Sequence, residues 1–266
     1  MIIDMKLKSI FSSIFPFTQS EKTVSQSCRL FVMHNSGYCH TCDENVLFVS
    51  QNEWLRDYYT CSNCHSIPRE RALMYCIEKY YPQWQELVIH ETSPIDRGAS
   101  KKLKNQCRNY SASQFFTNFP TGMMHMSGFR NENLSKMTFD DESFDLFISQ
   151  DVLEHVFQPE KVFSEIARVL KPGGAHIFTV PLVNKTKPSQ IRALMDTNGN
   201  ITHFGEPEYH GNPVNDLGSL VTMYWGFDIA DFIFRHSKLY TTMIYIDNIY
   251  LGIRAEYIEI LVSKKV

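Results

Sequence analysis

Between Phe144 and Leu182 the chain spells strand, helix, strand, and no other stretch restricts the possible folds as tightly. Leu146, Phe147 and Ile148 form a short apolar run that turns polar at once in Ser149, Gln150 and Asp151, the pattern of a buried strand ending at a site. From Glu160 to Leu170, Val162, Ile166, Val169 and Leu170 recur on one helical face, opposite Glu160, Lys161, Glu165 and Arg168. Lys171-Pro172-Gly173-Gly174 stops that helix, one glycine taking the left-handed conformation that helix C-termini favour. Ala175 to Val180 then resumes as a second buried strand. A strand, crossover helix and strand make a right-handed unit of a parallel sheet, and ligands of such sheets sit beyond the carboxyl ends of the strands. Ser149 to His155 lies at such an end, with a second helix expected from about Val152 and Asp151 as its N-cap.

Three motifs in this region stand in order: Thr138-Phe139-Asp140-Asp141-Glu142-Ser143-Phe144-Asp145, Val152-Leu153-Glu154-His155-Val156 and Arg168-Val169-Leu170-Lys171-Pro172-Gly173-Gly174. The region resembles the S-adenosylmethionine-dependent methyltransferases of the Rossmann-like class. The resemblance is strongest between Asn131 and Leu182 and is taken to cover residues 79–266. It implies an α/β fold, a mostly parallel methyltransferase sheet with an antiparallel last strand. It also implies direct displacement at the methyl group of S-adenosylmethionine.

Leu87-Val88-Ile89-His90 reads as the first strand of the sheet. In relatives an acidic residue and closely spaced glycines follow it, whereas this chain has Glu91-Thr92-Ser93-Pro94-Ile95-Asp96-Arg97-Gly98. By the resemblance, His90, Glu91, Thr92, Ser93, Pro94 and Gly98 surround the methionine portion of the cofactor: Glu91 accepts from its ammonium, Ser93 donates to its carboxylate, and Gly98 permits close helix packing. No carboxylate ends the second strand near Asn109–Ser113, so Ser111 or Ser113 is expected at the ribose. Met123 to Met126 reads as the third strand. Glu132, Asn133 and Leu134 follow as the adenine loop, with Gln150 and Asp151 closing the cofactor site.

His155 lies four residues from Asp151, so both can face one cavity, and a neutral imidazole there can take a proton from a hydroxyl nucleophile. His210, in Glu208-Tyr209-His210-Gly211-Asn212-Pro213, is the second candidate base. Asp151, Glu154 and His155 also resemble an acidic-x-x-Glu-His arrangement that some ubiquinone-pathway O-methyltransferases use for a divalent ion; a packed, hydrogen-bonded helix start is the competing reading. Farther on, Gly226–Phe234 reads as a helix, and Thr241–Ile246 and Tyr257–Val262 as the last two strands.

Cys39-His40-Thr41-Cys42 and Cys61-Ser62-Asn63-Cys64, eighteen residues apart, supply four thiolates in the zinc-ribbon pattern. Cys39, Cys42, Cys61 and Cys64 therefore define an N-terminal zinc ribbon over residues 31–78, with strands expected at Val46–Val49 and Asp57–Thr60. Four thiolates leave no open position, so the zinc is structural and not catalytic. A helix opens at Pro68, where Arg69 and Arg71 either meet an anion or form surface salt bridges. Cys28, Cys76 and Cys107 read as reduced bystanders. Residues 1–30, which mix Lys6 and Lys8 with Ile10, Phe11, Ile14 and Phe15, read as a partly ordered extension packed on the domain, with membrane-surface or partner docking as the alternative.

A 43% hydrophobic chain of 266 residues suits one large domain and a small module. Its net charge of -3 lacks the basic excess of nucleic-acid binders, and no apolar run approaches the ~20 residues that span a bilayer. The expectation is thus a cytoplasmic enzyme acting on a small-molecule or saccharide acceptor, by O-methylation. A zinc-containing RNA methyltransferase and a non-catalytic methyltransferase-like scaffold that binds a protein partner are the alternatives.

Overall fold

The computed structural model describes residues 32–211 and 218–266; the extension over residues 1–30 lies outside them. Two strands, β1 (Met33–Cys39) and β2 (Glu44–Ser50), pair as an antiparallel hairpin. A single helical turn, α1 (Leu55–Tyr58), leads to β3 (Thr60–Cys61), which pairs with β2. Of the expected strand over Asp57–Thr60, Asp57 and Tyr58 are therefore helical and only Thr60 is strand. Asp57 accepts the Trp54 indole N–H at 2.7 Å, an i, i+3 contact that suits a helix and not a strand.

The next helix, α2 (Pro68–Tyr80), starts with proline in its first turn, and the Glu70 carboxylate reaches back to the Ile67 N–H at 3.2 Å. It joins the cysteine region to the body of the protein. Arg71, fully buried, donates to the carbonyls of Ser66, Tyr59 and Gly252 and lies 4.6 Å from the centre of the Phe48 ring. A buried guanidinium is tolerable because its donors are satisfied. Ala72, Leu73, Met74 and Ile77 pack into the same core as the main sheet, so this helix crosses the expected boundary near residue 78 without a break.

The body continues as β4 (Val88–Thr92), α3 (Gly98–Gln106), β5 (Asn109–Gln114), β6 (Arg130–Asn131), β7 (Phe144–Gln150), α4 (Pro159–Val169) and β8 (Leu170–Thr179). Short strands follow in the covering loops: β9 (Gln190–Ile191), β10 (Ala193–Met195), β11 (Ile201–His203), β12 (Tyr209–His210), β13 (Ser219–Leu220) and β14 (Met223–Tyr224). Then come α5 (Ile229–Ser237), β15 (Tyr240–Ile244) and β16 (Ile260–Lys264). The large sheet runs β6-β5-β4-β7-β8-β16-β15. Neighbours from β6 to β8 are parallel, while β16 is antiparallel to both β8 and β15. Only the last strand runs against the rest.

Along β7 the side chains alternate between two cores. Phe147 joins Phe163 and Ile166 of α4, with Trp225 and Ile233, on one face; Leu146 and Ile148 join α2 and α3 on the other. Each such apolar side chain contributes about 1.5–3 kcal/mol by leaving water, which fixes the register and so places the strand ends. Among the described residues no helix is long and apolar enough to cross a membrane.

Four local expectations change. The helix α4 leaves through Leu170 in extended conformation (φ -76°, ψ 137°) directly into β8, so neither glycine caps it. Gly173, at φ +78°, instead makes a turn whose N–H donates to the Lys265 carbonyl, and a Cβ on Gly174 would stand 2.9 Å from the Asp145 carbonyl oxygen. Met123–Met126 is an exposed turn, joined to Arg130 only through Met124; its apolar side chains find no core. The last strand begins at Ile260 because Tyr257 turns the chain at φ +54°. No helix starts at Val152: Asp151 has φ +51°, and α4 begins only at Pro159.

A candidate active site at the strand ends

Beyond the carboxyl ends of β4, β5 and β7 opens a cavity of about 1350 Å³. Of the residues read from sequence, Thr92, Ser93, Glu132, Asn133, Leu134, Gln150, Asp151, His155 and His210 line it. Gln150 closes its floor. Its Nε2 donates to Glu91 and Ser100, both at 3.0 Å, while its buried Oε1 has no partner. An acceptor held without a donor costs about 1–3 kcal/mol, and none of the described residues supplies one to this oxygen.

Glu91 does not line the cavity. It is fully buried and accepts from Ser100 at 2.6 Å, Tyr110 at 2.8 Å and Gln150; burial raises its pKa and these bonds oppose the rise. Ser111 and Ser113 are also turned away, because their hydroxyls meet the two ring nitrogens of His90 at 2.8 and 2.9 Å. Burial brings that imidazole down to about 3, so it is neutral. The expected ribose contact from Ser111 or Ser113 is corrected accordingly. Gln114, the final residue of β5, lines the cavity in their place. Pro94 and Gly98 are outside the lining; a Cβ on Gly98, at φ +53°, would fall 2.2 Å from the Glu70 carboxylate, so its role is close packing.

Sequence reasoning missed most of one wall. Trp54, Arg56 and Arg69 from the cysteine region line the cavity. An Arg56 N–H donates to the Asp151 carboxylate at 2.6 Å, and Arg69 Nε stands 2.9 Å from the same oxygen, an ion pair without hydrogen-bond alignment. Thr179 donates to the other carboxylate oxygen at 2.9 Å. Burial alone raises the Asp151 pKa, but the two guanidinium groups outweigh it and bring it to about 2. This carboxylate is a fixed anion and not an N-cap. Arg69 had been visible as a candidate anion contact; nothing in the local pattern around Arg56 pointed to Asp151, ninety-five residues away.

His155 donates from Nδ1 to the Leu220 carbonyl at 2.9 Å, which leaves Nε2 with its lone pair free. Burial lowers its pKa to about 4, against the opposing Leu220 bond. Its ring meets that of His210 edge-on, 5.0 Å between centres. Glu154 lies beneath both, 2% exposed, with burial and the Asp151 charge raising its pKa well above the carboxylate range.

The cysteines converge. Tetrahedral zinc with bonds of 2.3 Å puts its sulfurs about 3.8 Å apart. Here Cys39 and Cys64 are 3.7 Å apart, Cys42 and Cys61 are 3.8 Å apart, and all four are free thiols. Asn63 and Cys64 N–H groups point at Cys61 Sγ at 3.4 and 3.5 Å. The set fits a tetrahedral thiolate-bound ion. His40 instead contacts Glu78 at 2.5 Å.

A family model described as a methyltransferase domain matches residues 99–178. A sarcosine/dimethylglycine N-methyltransferase of Halorhodospira halochloris is 30% identical over 97 residues, 36% of this chain and 35% of that protein. A dimethylglycine N-methyltransferase of Parasynechococcus marenigrum is 34% identical over 102 residues, 38% of this chain and 31% of that protein. The chain thus spans about a third of the length of these two relatives. A solved S-adenosylmethionine-dependent methyltransferase of Mesorhizobium loti aligns over 73% of this chain and 98% of its own, at 14% identity and a TM-score of 0.44.

Proposed function

We propose that the chain is an S-adenosylmethionine-dependent methyltransferase that methylates a nitrogen of a small polar molecule, with a structural zinc held by Cys39, Cys42, Cys61 and Cys64. The observation that carries the reading is the cleft at the strand ends, with the unpartnered Gln150 Oε1 on its floor beside Thr92, Ser93 and Gln114. Sequence reading favoured a hydroxyl acceptor; the names of these two relatives support an amine instead.

The donor supplies a methyl group on a positively charged sulfur, open to attack by a lone pair. Gln150 Oε1 would accept from the cofactor ammonium, the Thr92 and Ser93 hydroxyls would meet its carboxylate, Gln114 its ribose, and the Glu132–Leu134 loop its adenine. At the far side, His155 and His210 face the acceptor. With its pKa near 4, His155 is neutral at physiological pH, and its Nε2 lone pair is left free by the Leu220 bond to Nδ1. Alignment of acceptor, methyl and sulfur is the larger contribution, since positioning alone is worth about 7–11 kcal/mol in favourable cases.

Calorimetry with S-adenosylhomocysteine tests the binding half: one molecule bound per chain is expected, with at least tenfold weaker binding in Gln150→Leu. Transfer of a labelled methyl group to a panel of small amines and of saccharides tests the other half. No binding heat in the wild type would remove the assignment, and label appearing only in saccharides would remove the choice of nitrogen.

A further inference from the structure

Glu154, His155 and His210 are brought together from two segments, and hydrogen bonding does not account for the arrangement. Glu154 Oε1 is 3.7 Å from His155 Nε2 and 3.9 Å from His210 Nδ1, too far for hydrogen bonds. Neither Glu154 oxygen has any hydrogen-bond partner among the described residues, although the side chain is 2% exposed. The outer nitrogen of each imidazole is occupied: His155 Nδ1 donates to the Leu220 carbonyl at 2.9 Å, and His210 Nε2 donates to Glu208 at 3.2 Å. Glu208 in turn accepts from Tyr224. Both rings therefore aim a lone pair inward at a buried carboxylate, and their outer contacts fix the tautomers in the way that partners of metal-bound histidines do.

We propose that these three side chains bind a divalent cation at the acceptor end of the cleft. One oxygen or nitrogen from each lies within 4.8 Å of the others. On an ion with bonds near 2.1 Å such atoms stand about 3 to 3.5 Å apart, so binding would close the 3.7 and 3.9 Å separations of Glu154 from the two imidazoles by roughly 0.2 to 0.9 Å. Two imidazoles and one carboxylate select a transition ion such as Zn²⁺, Fe²⁺ or Mn²⁺ over Mg²⁺ or Ca²⁺. Asp151 is not a ligand, because Arg56, Arg69 and Thr179 hold its carboxylate. His155 and His210 both line the cavity, so the ion's remaining positions open toward the acceptor. On the methyltransferase reading, which this role rests on, the ion orients the acceptor heteroatom.

The test uses the full chain, stripped by a chelator and titrated with Co²⁺, with cobalt per chain measured beside the optical spectrum. Thiolate-bound cobalt gives an intense charge-transfer band and histidine-carboxylate cobalt does not, which separates this site from the cysteines. Two equivalents are expected in the wild type, the second without a thiolate band. Glu154→Gln and His210→Ala should each weaken the second equivalent by about 10- to 100-fold or more, with the thiolate band intact as the sign of folding. Uptake that stops at the thiolate equivalent, or a second equivalent undiminished in both variants, would overturn the proposal. S-adenosylhomocysteine calorimetry on the same samples tests the functional reading separately. A second equivalent without binding heat keeps the ion site and removes methyl transfer; heat without a second equivalent does the reverse.

Discussion

The cysteine knuckles and the cleft meet the same backbone problem with different means. In each knuckle the residue after the second cysteine is left-handed without being glycine, Asp43 at φ 58° and His65 at φ 57°. At the cleft the same is true one residue beyond β4 and β7, at Ser93 (φ 54°) and Asp151 (φ 51°). The conformation costs an ordinary residue roughly 1–2 kcal/mol. In the knuckles it is closed by local bonds, Asp43 N–H to the Cys39 carbonyl at 2.8 Å and His65 N–H to the Cys61 carbonyl at 3.0 Å, and it serves four sulfurs that converge. At the cleft it is held across the sheet. Ser93 N–H donates to the Ser113 carbonyl at 2.8 Å, Asp151 N–H to the Thr179 carbonyl at 3.1 Å, and the Asp151 side chain reaches two arginines from the cysteine region. A local device survives on its own residues, whereas the cleft depends on distant ones.

Removing a thiolate should break the contrast most severely. With zinc bound, Cys61→Ser takes away a buried ligand, and structural zinc sites are worth about 10 kcal/mol or more in small modules. The cysteine region should unfold with loss of the metal, and Arg56 and Arg69 should leave Asp151 with it. Thermal unfolding with metal analysis checks this; an unchanged melting temperature would show the cysteines to be unligated thiols. A smaller loss is expected from Arg56→Ala, which strands the buried Asp151 carboxylate with one partner fewer. Breaking a buried ion pair from one side costs about 3–5 kcal/mol. The double variant Arg56→Ala, Asp151→Asn should recover much of it, as read by denaturant unfolding. Strictly additive losses would mean that the two groups do not depend on each other.

That difference in reach also decides what the sequence discloses. The β7–α4–β8 unit is legible because Val162, Ile166 and Val169 repeat at helical spacing and bury against β7 and β8. The cysteines are legible because their ligands sit at fixed short spacing. His155 and Asp151 were placed on one cavity for the wrong reason, a helix that does not form, and they meet there because the turn after β7 is folded back by Thr179 and Arg56. Ser111 and Ser113 look like ribose ligands until His90 is seen between them, a cross-strand contact that no single-strand pattern displays. Gln114 ends β5 one residue later than expected, and one residue is enough to exchange the side chain at the strand end.

The smallest effect is the most discriminating, because it asks whether the left-handed turn at Ser93 serves stability or binding. Ser93→Gly removes the steric cost of φ 54° and adds the entropy of a freer unfolded chain, about 0.5–1 kcal/mol. Net stability should therefore change by less than about 1 kcal/mol, in the stabilising direction. Ser93, however, lines the same cavity as Gln150, so on the proposed reading S-adenosylhomocysteine should bind more weakly, by about 1 kcal/mol for one lost hydrogen bond. Asp43→Gly in the knuckle relieves the same strain with no ligand contact, though it also removes the carboxylate that Lys102 meets at 2.6 Å. Unfolding and calorimetry on both variants separate the cases. Weaker ligand binding in the Ser93 variant alone would place the strained residue in the binding machinery, and equal behaviour of the two would make it an ordinary turn.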